Sequence, residues 1–342
     1  MRKYLVKRLI ATIPMFFLMT GVFFALQNYL PGGPVQEALA QIRGQGESSR
    51  GDRTLSVDDI DRIRKELERQ YGLDKPIHVR YWNWVKAIAT LEFGDSTTTR
   101  QPAMETVASR IPVSLGFGIP GFFLTYLICV PLGVRKALRD GSNFDAVTSF
   151  FLFLNYSIPT LVISVILLLV FCTDRVLPGG AWFPLGGIRS DDFESLGTFG
   201  QAWDYVKHMF LPVMASLVGG FTVMTMLMKN SMLEVIRSDY IRTARAKGLD
   251  ERSVVFKHAL RNAILPLMVG IGGFLSSFVA GSIVIESVFG VPGMGLQFLD
   301  ALSSRDYNVM MAVIVIESLA IMFGQIISDI AYVVVDPRIE FK

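Results

Sequence analysis

The sequence predicts an all-α polytopic membrane protein with six transmembrane helices, and three observations carry that reading. The 342 residues are 51% hydrophobic and only 18% charged, against ~25% charged in ordinary soluble domains, and mean hydropathy is +0.43. Six segments stay apolar over the ~20 residues needed to cross ~30 Å of hydrocarbon. Lys and Arg crowd into alternate short stretches between those segments, the asymmetry that sets orientation in a bilayer.

The first segment, Leu9 to Leu30, follows a basic start, MRKYLVKR. It is long enough to span, and PGGP follows it rather than a small-residue cleavage site. An uncleaved first span is therefore expected. The second lies between Arg110 and Arg135 and the third between Asp145 and Asp174, both without internal charge. The fourth runs from Met209 to Met228 and the fifth from Ala263 to Ile285. The sixth, Val309 to Val335, contains Glu317 and Asp329.

Arg2, Lys3, Lys7 and Arg8 precede the first span, Arg135, Lys136 and Arg139 follow the second, and a dense basic stretch follows the fourth. These stretches are read as cytoplasmic, which puts both termini inside. The chain thus divides into a tail and first helix (1–30), an outer segment (31–105) and a five-helix core (106–342) with a cytoplasmic loop at 232–262. The outer segment exceeds the ~60 residues over which loop charge orients a protein. Within it, Ser56 to Tyr71 reads as a helix, with Ser56 as cap and Gly72 as stop. Val79 to Leu91, bearing Trp82 and Trp84, reads as an interfacial helix.

The loop DYIRTARAKGLDERSVVFKHALRNAILP, from Asp239, is the most informative stretch. Ser238 or Asp239 can cap a first helix, and Gly248 suits its left-handed end. Asp250 then caps a second helix that Ala263 to Pro266 carry into the fifth span. Tyr240, Ala244 and Lys247 share a face beside Thr243, and the small residues there permit close approach by another protein. A solvated loop needs neither two caps nor such a face.

TARAKGLDERSVVFKHALRNAILP resembles the EAA loop of inner-membrane permease subunits of binding-protein-dependent ABC importers. Arg242 stands where that pattern has Glu, Thr243 stands where it has its first Ala, and Leu265–Pro266 comes late. The peptide branch of the family shares these departures. IESVFGVPGMG (285–295), SSRDYNVM (303–310) and DPRIEF (336–341) resemble branch-wide motifs. PGGPVQEALAQ (31–41), WFPLGG (182–187) and KNSMLEVIR (229–237) are similar to the Yej-type subgroup of oligopeptide permeases. The resemblance implies a type I ABC importer permease architecture with an extra outer segment after the first helix. It implies import of short peptides or peptide-like compounds, with nickel or another small solute as the family's alternative cargo. It implies four kinds of partner: a homologous second permease, two ABC ATPase subunits or domains, an extracytoplasmic peptide-binding protein and the bilayer of a bacterial cytoplasmic membrane. In such a loop the ATPase-coupling contacts fall on Asp239, Tyr240, Thr243, Ala244, Lys247 and Gly248.

No GxxxxGK[ST] phosphate loop occurs in the sequence, so ATP and Mg are expected on the partner ATPases and no cofactor on this chain. Neither a Ser–His–Asp pattern nor HExxH is present, and three histidines and two cysteines at scattered positions suggest no metal site. A net charge of +3 is too small to argue for nucleic acid. An ion-coupled secondary transporter would account for buried acids but not for the two-helix loop. Candidates for the translocation path or gate are Asn155 and Ser157 before Pro159, Glu286 at the outer end of the fifth span, and Glu317, since an acid inside a membrane is costly. Glu317 and Asp329 project about 120° apart on a helix, so one shared pore face is not expected. Gly219–Gly220 and Gly281–Ser282 are expected to let helices pack closely.

Overall fold

The computed structural model describes residues 2–29, 61–66, 74–176 and 182–335. Regular structure among them is helical, apart from one isolated bridge between Asp95 and Pro102. Three stretches, Ala103–Leu138, Thr198–Ile236 and Tyr307–Ala331, are single helical runs long and apolar enough to cross a membrane. Two more apolar stretches are bent pairs, Asn143–Ser157 with Thr160–Phe171 and Glu251–Ala263 with Leu265–Gly273, and a shorter apolar run covers Ile10–Ala25. The mid part of the sequence-predicted outer helix, 61–66, is helical. Residues 31–60, with PGGPVQEALAQ and the Ser56 cap, residues 67–73, with the Gly72 stop, and the terminal DPRIEF lie outside the described residues.

The chain forms two compact units, one of Leu9–Thr106 with Asp300–Ser318 and one of Met1–Arg8, Val107–Leu299 and Leu319–Lys342. In the first, helix α1 (Arg2–Tyr29) supplies the apolar run and α2 (Ile77–Thr90) packs on it. The Phe24 ring stacks on Trp84 with centroids 5.7 Å apart, and the Tyr81 hydroxyl donates to Phe17 O at 3.0 Å. The predicted Val79–Leu91 helix is therefore present, with Trp84 turned onto α1 and Trp82 exposed. Asp306 accepts from the Ser96 hydroxyl, and Asn308 Nδ2 donates to Asp95 O at 2.7 Å.

The second unit is built on two long helices, α4 (Ile111–Leu138) and α7 (Thr198–Ile236). The short helix α3 (Ala103–Ala108) precedes α4. Gly133 lets the pair close, because a Cβ there would collide with the Met228 side chain and Thr225 O. Phe123, Leu127 and Ile128 remain exposed on α4, a surface suited to lipid or to another apolar chain.

Helices α5 (Asn143–Ser157) and α6 (Thr160–Phe171) flank this pair. The sequence expects one apolar span with a kinked start at Asn155, Ser157 and Pro159, and the two helices meet there at 97°. Ile158, extended at φ −95° and ψ 121°, precedes Pro159, and a residue before proline is driven out of the helical region. The kink therefore falls midway along the apolar run, with α5 on one side and α6 on the other.

A buried charge cluster ties α4, α5 and α7 together. Lys136 on α4 is fully buried, and its Nζ lies 2.9 Å from Asp145 Oδ1. It also donates to the Thr148 and Ser149 hydroxyls, each at 2.8 Å. Lys229 on α7 reaches Asp145 Oδ2 at 2.7 Å and Asp140 at 2.9 Å. Asp145→Ala would leave the buried Lys136 ammonium without a counter-charge and Lys229 with Asp140 alone, and is expected to destabilise the fold by about 3–5 kcal/mol, the cost of breaking a buried pair. Lys136→Met leaves the Asp145–Lys229 pair in place and should lower stability clearly less. Thermal unfolding of the detergent-solubilised protein compares the two, and equal losses would show that Asp145 is not the hub.

Candidate functional site

The charged loop folds as a mounted two-helix element. Helix α8 (Asp239–Ala246) leaves α7 after a turn in which Ser238 is extended, as an N-cap residue is. The Ser238 hydroxyl, however, donates back to Val235 O at 2.6 Å instead of capping α8. Lys247 closes the helix, and Gly248 follows at φ 79° with open space around its Cα. That left-handed turn is the one the sequence anticipates at a helix end. Asp250 then caps α9 (Glu251–Ala263) by accepting from Ser253 N at 2.9 Å. Hydrogen bonding from the Ser253 side chain, and then from this backbone N–H, holds the Asp250 carboxyl below its ordinary pKa.

Two features of the mount are not apparent in the sequence. Ile241 is fully buried and Ala244 nearly so, in one cluster with Val254, Val255 and Ala259 of α9 and Met228 and Met232 of α7. Val254–Ala259 also forms a π turn, closed by Leu260 N donating to Val255 O. Such turns widen a helix locally and recur at functional sites. Arg245 spans the Gly248 break with paired bonds to Glu251, Nε to Oε2 at 3.1 Å and Nη2 to Oε1 at 2.6 Å. Glu251 holds the Arg245 pKa above its ordinary value. Being exposed, the pair contributes at most ~1 kcal/mol and serves mainly to set the angle between α8 and α9.

Of the six sequence-predicted contact positions, Asp239, Tyr240, Thr243, Lys247 and Gly248 are exposed on α8 and its end, while Ala244 faces inward. The exposed surface is thus Tyr240 and Thr243 flanked by charge. The Tyr240 hydroxyl accepts from Asn262 Nδ2 at 2.7 Å, which fixes its ring against α9. Ser231 on α7 donates to Ala263 O at 2.7 Å and closes the base of the element.

Other candidates scatter. Asn155 Nδ2 donates to Val218 O at 3.2 Å and clamps α5 to α7. Ser157 is exposed and bonds back to Phe153 O. Glu317 lies partly buried within α13 (Tyr307–Val335). Glu286, on α11 (Ile283–Val288), is fully buried. Its Oε1 accepts from the Ser114 hydroxyl at 3.0 Å and Ser282 N at 3.1 Å, and its Oε2 accepts from Leu296 N at 2.7 Å. The same Ser114 oxygen accepts from Met294 N. Glu286 therefore joins the start of α4 to the break after α10 (Leu265–Ala280) and to the beginning of α12 (Met294–Ser303).

That break carries one wall of a cavity of about 270 Å³ between α4, α6, α7 and α11, lined in part by Phe117, Phe122, Thr125, Thr160, Ser216 and Gly219. Gly281, Ser282 and Ile285 form the wall that Glu286 holds. Gly219 and Gly281–Ser282, expected as helix-packing positions, border the cavity, and Gly281 also packs closely, since a Cβ there would collide with the Glu286 carboxylate and Gly295 N. The described residues hold no group of three or more His, Cys, Asp or Glu able to bind a metal.

Residues 129–341 match the family described as binding-protein-dependent transport system inner membrane component. The chain is 36% identical over its full length, and over all of the relative's, to the inner membrane ABC transporter permease protein YejB of Escherichia coli O157:H7. It is 33% identical, again over the whole of both chains, to the oligopeptide transport system permease protein AppB of Bacillus subtilis. The dipeptide transport system permease protein DppB of the same organism is 32% identical over 99% of this chain and 98% of its own.

Proposed function

Because the chain belongs to the family of binding-protein-dependent transport system inner membrane components, we propose that it is the permease subunit of an ATP-driven importer of short peptides or peptide-like compounds. The observation that carries the reading is the rigid presentation of α8, with Asp239, Tyr240, Thr243 and Lys247 exposed on a helix whose buried side is fixed to α7 and α9. The similarity to peptide permeases over the full length supports the substrate class.

In this reading α8 seats in a cleft of a cytoplasmic ATPase. A homologous second permease completes the pathway and a peptide-binding protein delivers cargo from outside. ATP and Mg act on the ATPase partners, and this chain contributes no hydrolytic residue. ATP shifts the permease between inward- and outward-facing states only through contacts that differ between them. The mount converts such contacts at α8 into a tilt of α7 and of the helices beyond α9, because Ile241 and Ala244 leave α8 little freedom to move alone. The apolar helices form six spans, each bent pair counting as one, with both termini on the cytoplasmic side of the bacterial inner membrane.

Three outcomes test this. Ser49→Cys should react with an impermeant thiol reagent in intact spheroplasts and Ser253→Cys should not; the reverse pattern would overturn the orientation. Gly248→Val forces a branched side chain into the left-handed region at a cost of about 1–2 kcal/mol. Membrane insertion should persist while transport and binding-protein-stimulated ATP hydrolysis fall; unchanged stimulation in the assembled complex would remove α8 from coupling. A strain lacking the chain should lose uptake of a di- to pentapeptide panel. Loss of nickel uptake with normal peptide uptake would reassign the cargo.

A further inference from the structure

We infer that the cavity between α4, α6, α7 and α11 is where this permease holds the main chain of its substrate, and that Gly219 sets how much main chain fits. The inference rests on the importer reading above and names the site within it. Four hydroxyls line the cavity, on Thr125, Thr160, Ser216 and Ser282, with Phe117, Phe122 and Ile285 as apolar walls and no charged residue. Gly121, also in the lining, lies about 15 Å along α4 from Ile111 at ~1.5 Å rise per residue. That depth is near the middle of a ~30 Å hydrocarbon layer.

The hydroxyls divide by what they have left to offer. Thr125 donates to Gly121 O at 2.8 Å and Ser216 donates to Val213 O at 2.8 Å. Their protons are committed, and their oxygens keep lone pairs that accept. Ser282 is arranged the other way: its oxygen accepts from Ile285 N at 3.4 Å, so its proton is available to donate. Thr160 begins α6, and a methyl placed on Gly219 would lie 3.8 Å from its Oγ1. A lining that offers both acceptors and a donor suits a chain that carries both N–H and C=O groups along its length. A peptide amide pays heavily for losing water without new partners, and these hydroxyls replace that water. An acyl chain has no use for them, and a metal ion or a charged headgroup would meet no counter-charge.

The consequence is recognition of backbone with little reading of side chains. The size of about 270 Å³ lies just below the ~300–1,000 Å³ of drug-sized pockets. The chain thus supplies a short stretch of the pathway and leaves the remainder to the second permease. A Cβ at Gly219 would meet only Thr160 Oγ1, at 3.8 Å, so an added methyl fits the fold and each further carbon is expected to narrow the cavity that Gly219 borders.

The test uses the complete importer reconstituted in liposomes, with Gly219→Ala, Gly219→Leu and, at an exposed position of α7 outside the cavity lining, Val206→Leu as control. A tripeptide bearing a diazirine is both the transported and the crosslinking probe. Expected is a graded loss of uptake, about tenfold for Gly219→Leu, with assembly intact and Val206→Leu like the parent. Crosslinks in the parent should fall on 117–125 and 216–219 and disappear in Gly219→Leu. Full uptake by Gly219→Leu, or crosslinks confined to other segments of a transporting complex, would overturn the site while leaving the importer reading intact. A parent complex that moves no peptide would overturn both.

Discussion

Asp145 sits between two ammonium groups in a part of the chain with almost no other means of neutralising them. Burying a charge is expensive unless it is paired and hydrogen-bonded. Here one carboxylate serves Lys136 of α4 and Lys229 of α7 and belongs to α5, so three helices share a single compensation. No two of them can separate at that end without exposing or stranding a charge. The apolar contacts along α4 and α7 decide that these helices lie together, and the cluster decides their register. Asp140 adds a second acceptor to Lys229 from the turn between α4 and α5, so that turn is fixed as well.

The opposite end of α4 is held by different chemistry. Glu286 meets no cation at hydrogen-bonding distance; hydroxyl and amide donors surround it, and its carboxylate gathers Ser114, Ser282 and Leu296. Between the ionic cluster and this hydrogen-bonded latch lies the hydroxyl-lined cavity. Helix α4 is thus tied at both ends and borders open volume between them. A transport pathway requires that arrangement, because rigid ends transmit a tilt while an open middle admits cargo.

Much of this was legible in the sequence wherever local backbone chemistry decides the outcome. Gly248 and Asp250 announce a left-handed stop and a cap, and both occur. The long apolar runs announce helices whatever packs around them. Pro159 marks the break in the third apolar run, but its angle depends on what α5 and α6 pack against. The inward turn of Ala244 was hidden because Tyr240, Ala244 and Lys247 read as one outward face until Ile241 is seen buried beside α9. The cavity hydroxyls were hidden for another reason. A serine or threonine in a helix bonds to its own carbonyls whether it faces a neighbour, lipid or a void, so its type does not reveal its surroundings. Asn155 and Ser157 stood out by composition, and in the structure Asn155 bonds to Val218 O while Ser157 bonds to Phe153 O of its own helix.

The π turn at Val254–Ala259 has an implication for rotational phase. An i→i+5 turn takes up one residue more than the α turn it replaces, and each residue of an α-helix advances ~100° about the axis. The surplus residue therefore sets the azimuth of everything after it. Asn262 points at Tyr240, and Ala263 presents its carbonyl to Ser231, because of that offset. Regular α pairing at unchanged length would swing both groups by about 100°. Deleting one residue within 254–259 would restore α pairing and leave both groups, and the span beyond α9, in phase with α8.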